Sequence, residues 1–208
     1  MGGLMLKDFY TIKKQLLIMG VVVVIYGIYS IYSGDASMVS IVTVLFGMLA
    51  PVNLFSSDEQ CKWDIYANTL PATRDVYVIS RYVFCTAFLG VMAGLATGIN
   101  LLVTVLHPEN VLNLTFIIEF LGLGMIYIAL FLPVLFKMGA ERGRIFLMAM
   151  YLIPFCIILF LEQNKMMPNL SALPFSFQYV KIGAGILIAV LYGISVLVSL
   201  SIYRKKEF

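Results

Sequence analysis

Six long stretches without a charged residue constrain this chain more than any other feature. They cover residues 15–34 (20 residues), 36–57 (22), 82–106 (25), 120–136 (17), 145–161 (17) and 182–203 (22). A helix needs about 20 residues to cross the hydrocarbon core of a bilayer, with a range of about 17–25. The two shortest runs reach that length when uncharged or interfacial neighbours extend them. Composition agrees: 62% of residues are hydrophobic and 12% charged, against about 45–50% and about 25% in soluble domains. Alternating strands of about 10 residues, the pattern of a membrane barrel, are absent from the sequence. The chain therefore reads as an all-α membrane protein with six transmembrane helices, in one domain over 1–208, with spans near 15–34, 36–57, 78–106, 115–136, 142–161 and 179–203.

The charged residues between these stretches set the orientation. Lys7, Lys13 and Lys14 precede span 1, and Lys62, Arg74 and Arg81 lie between spans 2 and 3. Lys137, Arg142 and Arg144 lie between spans 4 and 5, and Arg204, Lys205 and Lys206 follow span 6. Only Lys165 and Lys181 remain for the opposite side. Loops rich in Lys and Arg stay in the cytoplasm, so both termini are expected there. The net charge of +3 is then a topology signal and calls for no nucleic-acid partner. Span 1 exceeds the usual signal-peptide core of about 7–15 residues and no small-residue cleavage site follows, so it is expected to be retained. Cys61 falls in a loop while Cys85 and Cys156 fall in spans, which suggests neither a disulfide nor a metal site.

Two segments on the basic side carry patterns beyond topology. Within 5–16, Met5, Phe9, Ile12 and Leu16 share one helical stripe, with Lys7 and Lys14 opposite. That is the pattern of an amphipathic interfacial helix lying on the membrane; the other reading is a downward extension of span 1. The 56–77 segment, SSDEQCKWDIYANTLPATRDVY, offers Ser56 with Glu59 or Ser57 with Gln60 as a capping box. Asp58 and Glu59 would favour a helix start and Pro71 would limit its end. A short cytoplasmic helix is thus expected over 58–68, with Trp63, Tyr66 and Leu70 forming an apolar edge. Either it docks a partner, or its Trp and Tyr only anchor it at headgroup depth.

Inside the spans, Gly90, Gly94 and Gly98 form a tandem G-x-x-x-G that permits close helix approach, within the chain or between two copies. Gly185, Ala189 and Gly193 repeat it loosely in span 6. Pro51, Pro133 and Pro154 each interrupt a span, as fixed kinks or as hinges. Glu119 is the acid nearest a span interior, a functional candidate by its setting, yet close enough to a helix start to be held by the dipole. His107 is the sole histidine. No nucleophile–base set, zinc motif or phosphate-binding G-x-x-x-x-G-K-[ST] is present, so enzymatic chemistry and direct ATP binding are not expected.

The surface segment LKDFYTIKK entering span 1, the loop DEQCKWDIYANTLPATRDVYVISRYV and the tail YRKKEF together resemble the ABC-2 type permease subunits of bacterial ATP-binding-cassette exporters. The likeness covers the whole chain, and it is similar to small permeases that export phenol-soluble modulins or antimicrobial peptides. The resemblance implies a separate ABC-type ATPase carrying ATP and magnesium, with no cofactor on this chain, and a second permease copy, expected as a homodimer. It implies that the loop helix couples to the ATPase through residues among Asp58, Glu59, Trp63, Tyr66, Leu70, Pro71, Arg74 and Arg81, and that 5–16 is an interfacial elbow. The expected function is ATP-driven export of amphipathic peptides through the bacterial plasma membrane. A non-transporting membrane protein that binds a peptide, as immunity factor or scaffold, is the alternative.

Overall fold

The computed structural model describes residues 2–63, 74–107, 114–163 and 177–205. Every regular element among them is helical: α1 (Gly2–Ser33), α2 (Ser37–Gln60), α3 (Arg74–Leu106), α4 (Leu114–Gln163) and α5 (Phe177–Lys205). Among the described residues, five helical segments are long and apolar enough to cross a membrane; the fourth of them is Ile117–Gly143 within α4. The expected span 142–161 falls in the second half of α4. Between the halves, Gly139 leaves helical geometry at φ 79 and ψ 179.

Local chemistry explains the tight α1–α2 turn. Gly34 takes the positive φ of 73 that closes many helices, and its N–H reaches the Ser30 carbonyl at 2.9 Å. Ser30 Oγ donates to the Asp35 carbonyl at 2.8 Å. The Asp35 carboxylate then accepts the Ser37 N–H at 2.8 Å and the Ser37 hydroxyl at 2.6 Å. Those bonds start α2 and hold the Asp35 carboxyl below its usual range.

α2 lies at the centre, packed against α1, α3 and α4, while α5 packs on α3 and α4. The tightest approach is at Leu89 of α3. A Cβ at Gly47 of α2 would lie 2.8 Å from Leu89 Cδ1, and one at Gly124 of α4 would lie 2.8 Å from its Cδ2. Leu89 is fully buried, so two glycines make the space this one side chain fills. The outer surfaces carry many exposed Val, Leu and Ile side chains, as lipid-facing helices do.

α5 has little covered surface, yet polar side chains fasten it. Tyr82 Oη lies 2.6 Å from Ser195 Oγ and 2.8 Å from Ser199 Oγ, and Thr86 Oγ1 lies 2.7 Å from Tyr192 Oη. Ser195 also donates to the Ala129 carbonyl of α4. Such bonds contribute about 0.6 kcal/mol each inside a bilayer. The gain is modest, but it selects one rotation of α5.

Three expectations change. α1 is one unbroken helix, so 5–16 is not a separate interfacial helix but the lower part of span 1. No proline or positive-φ glycine interrupts it, and its 32 residues span about 48 Å, well beyond the hydrocarbon thickness of about 30 Å. Second, α2 runs on through Gln60, so no capping box opens a helix at Ser56 or Ser57. The turn comes at Cys61 and Lys62, whose φ is 50, and Trp63 resumes helical geometry. Residues 64–73, including Tyr66, Leu70 and Pro71, lie outside the described residues.

Third, Gly90, Gly94 and Gly98 are all exposed, and a Cβ on any of them would meet no described atom within 4 Å. The stripe packs against none of the described residues. The close approach falls instead at Gly47 and Gly124, because Leu89 sits on the opposite side of α3 from the stripe.

Candidate functional site

The N-terminus of α1, the C-terminus of α2 and the N-terminus of α3 converge on a buried ion cluster at the basic end of the bundle. Arg81 is 1% exposed and sits between two carboxylates. Its Nη1 lies 2.8 Å from Asp8 Oδ1, and its Nη2 pairs with Asp58 Oδ2. Asp8 and Asp58 are 1% and 4% exposed. Lys7 completes the set by pairing with Asp58 and standing 3.6 Å from Asp8. Two cations thus face two anions, and the cluster is neutral. This balance is what allows charge to be buried, since each unpaired ion would cost several kcal/mol to desolvate.

Aromatic groups enclose the charges. Tyr77 Oη donates to Asp58 Oδ2 at 3.1 Å and accepts from Arg81 Nη2 at 3.1 Å. The Arg81 guanidinium stands 5.0 Å from the Tyr77 ring and 5.7 Å from that of Phe55, within cation–π range. Tyr77 stacks on Tyr203 of α5 at 5.2 Å, and Phe136 of α4 meets Phe55 at 4.9 Å and Tyr203 at 5.6 Å. All five helices therefore meet here, and the start of α1 and the end of α5 lie at the same end of the bundle.

Two further contacts link the cluster outward. Lys7 Nζ lies 4.2 Å from the centre of the Trp63 ring, so the same ammonium holds Asp58 and the first residue after the α2 turn. On the other side, Glu59 Oε1 accepts the Ala140 N–H at the α4 break. Ala140 begins the helical stretch after Gly139, where the N–H has no partner in the preceding turn. A carboxylate on α2 thereby caps a helix start on α4. Nearer the surface, Arg204 grips Asp75 with Nε at 2.8 Å and Nη2 at 2.5 Å. Arg74 donates to the Arg204 carbonyl at 2.9 Å.

The residues singled out in the sequence are distributed unevenly around this centre. Asp58 was expected on a docking surface and is instead buried among cations. Glu59 serves the α4 break, Trp63 covers Lys7, and Arg74 straps α3 to α5. Ile12 is 1% exposed and faces the core, whereas Phe9 is 50% exposed. Met5 is half-buried and Lys14 exposed. Glu119 is exposed on α4, and His107 Nε2 lies 2.8 Å from the Ile31 carbonyl at the far end.

Sequence reasoning missed Asp8 and Tyr77, and it named Arg81 as a topology charge and, through the family resemblance, as a coupling residue, but not as the centre of a buried cluster. One signal was available: Asp8 lies four residues before Ile12, on the apolar stripe of α1. An acid there needs a cation from another helix.

A bundle of long apolar helices with a buried ion cluster at one end is a multi-pass membrane protein. The chain belongs to the ABC-2 family of transporters: the family described as "ABC-2 family transporter protein" matches it over residues 3–204. It is accordingly a membrane-embedded permease component of an ABC transporter, and a bacterial plasma-membrane location fits the family. Membership implies an ABC ATPase as partner. No curated protein and no solved structure matches the chain.

Proposed function

We propose that this permease exports amphipathic peptides or comparably lipophilic molecules from a bacterial cell, paired with a second copy of itself and driven by a separate ATPase that carries ATP and magnesium. In this reading six helices cross the membrane, α4 supplying two on either side of Gly139, and both termini are cytoplasmic. The Lys and Arg distribution supports that orientation. An even number of spans accords with the meeting of Lys7 and Tyr203 at one end.

The observation that carries the coupling role is the double contact of Lys7, with the Trp63 ring on one side and Asp58 on the other. A push on the segment that begins at Trp63 reaches α1 through Lys7. It reaches α3 through Asp58 and Arg81. Trp63, Tyr66, Leu70 and Arg74 are assigned to the ATPase-facing side. Asp58 and Glu59 are assigned to transmission within the bundle. The substrate class is supported by the interior: among the described residues, the buried charged side chains are Asp8, Asp58 and Arg81, all at the basic end. The exposed Gly90–Gly94–Gly98 stripe suits a contact with the second copy.

Co-purification and ATP hydrolysis with the cognate ATPase test this. Trp63→Ala combined with Tyr66→Ala should lower co-purification. Arg81→Lys should leave co-purification intact while reducing hydrolysis stimulated by amphipathic peptide. Unchanged co-purification in the first variant would refute the loop assignment, and the absence of stimulation by any amphipathic peptide would refute the substrate class. Peptide protection that persists with an inactive ATPase would favour a non-transporting immunity or scaffold protein.

A further inference from the structure

A second feature shares no residue with the ion cluster. α1 and α3 leave an open groove of about 650 Å³ between them, lined entirely by apolar side chains and glycine. Leu16, Gly20 and Val24 form part of one wall; Phe88, Val91 and Leu95 form part of the other. The α1 wall runs from Phe9 to Ile31, a rise of about 33 Å. That matches the hydrocarbon thickness of about 30 Å.

Nothing in this lining can satisfy a hydrogen bond. An extended peptide would leave its backbone N–H and C=O groups unpaired at several kcal/mol each. A hydrocarbon chain has no such requirement. At the basic end of the groove Lys13 is exposed. At 100° per residue, Lys13 lies about 30° from the mean direction of the α1 lining residues, and Lys14 about 130° away. Lys13 therefore lies on the groove side of α1, between the lining residues Phe9 and Leu16, with its Nζ 5.9 Å from the Tyr10 ring.

We infer that the α1–α3 groove seats an acyl chain of an anionic phospholipid from the leaflet at the basic end, with its headgroup on Lys13. Charge decides between this occupant and a second copy of the chain. Two copies related by a twofold axis along the membrane normal present equivalent residues at equal depth. Pairing through this groove would bring two Lys13 ammonium groups together, which is unfavourable. An anionic headgroup neutralises Lys13, as basic residues beside a membrane do. The Gly90–Gly94–Gly98 stripe lies about 90° away around α3 and is not part of the lining.

Native mass spectrometry of the purified full chain tests the site, with equimolar palmitoyl-oleoyl phosphatidylglycerol and phosphatidylcholine. The wild type should retain one phosphatidylglycerol with a preference of about fivefold, the factor that one basic residue near a charged surface supplies. Lys13→Gln should bring the two lipids to parity without lowering the amount retained. Gly20→Trp with Val91→Trp should fill the groove and remove the retained lipid; a Cβ at Gly20 meets no described atom within 4 Å. Equal retention of both lipids by the wild type, or an unchanged preference in Lys13→Gln, would overturn the assignment. So would a lipid-free dimer that the tryptophan pair dissociates, which would make the groove a protomer interface.

Discussion

Replacing Arg81 by Met is the sharpest probe of how this bundle is held together. The side chain is 1% exposed and serves Asp8 through one nitrogen and Asp58 through another. Met fills a similar volume but leaves two buried carboxylates facing the single ammonium of Lys7. One negative charge then remains uncompensated where both acids are at most 4% exposed. Removing one partner of a buried ion pair costs about 3–5 kcal/mol. For a chain of this length each kcal/mol corresponds to about 2–4 °C in the melting temperature, so Arg81→Met should melt about 6–20 °C below the wild type. Arg81→Lys keeps the charge but reaches only one carboxylate well, and should fall between the two. Asp8→Leu added to Arg81→Met restores neutrality, leaving Lys7 with Asp58, and should recover much of the loss. The measurement is thermal unfolding in detergent, followed by loss of monodispersity. An Arg81→Met protein that melts within 2 °C of the wild type would show that the cluster is not a buried, mutually dependent set.

Other expectations follow from single positions. Gly139→Ala places a Cβ against Glu59 Oε1 and forces a residue with a side chain to φ 79; a loss of about 1–3 kcal/mol is expected in the same melting assay, whereas Glu59→Gln, which keeps the acceptor for Ala140, should cost far less. Tyr82→Phe removes the hydroxyl that meets Ser195 and Ser199, and should cost about 1 kcal/mol, read as easier unfolding in SDS titration. Asp35 has a folded pKa held down by Ser37, so its contribution is present above the ordinary carboxylate value of about 4 and is lost as pH falls below it. Asp35→Ala should remove that part of the acid sensitivity, seen by comparing melting at pH 6 and pH 3. Gly47→Leu would drive its side chain into Leu89; a loss of at least 1–3 kcal/mol is expected, and an unaltered melting temperature would contradict the packing described.

The legible part of the site was its location. The loop leading into α3 was singled out from its acids, its tryptophan and its basic residues, and three of those residues do stand in or against the cluster. Their roles were not legible. Asp58 and Glu59 look like the start of a helix because acids favour helix N-termini, yet they end α2, where the dipole disfavours them. Lys7 and Arg81 offset that cost for Asp58, and neither is close to it in sequence. The glycine stripe shows the same limit: spacing identifies a flat surface but not which way it faces.

Hydropathy and length were enough to assign apolar helices and a basic end, because solvation by lipid acts on each segment by itself. Charge distribution was enough to mark the N-terminal segment and the 56–77 loop as unlike the other connectors. What only the tertiary structure decided is where each charge goes. Asp58 meets Lys7 across 51 positions of chain, and Arg81 across 23. Arg204 meets Asp75 across 129. Burying an ion is tolerable only when its counter-ion arrives from another helix, and that pairing depends on how the helices rotate and pack. The order of residues along any one helix does not contain it.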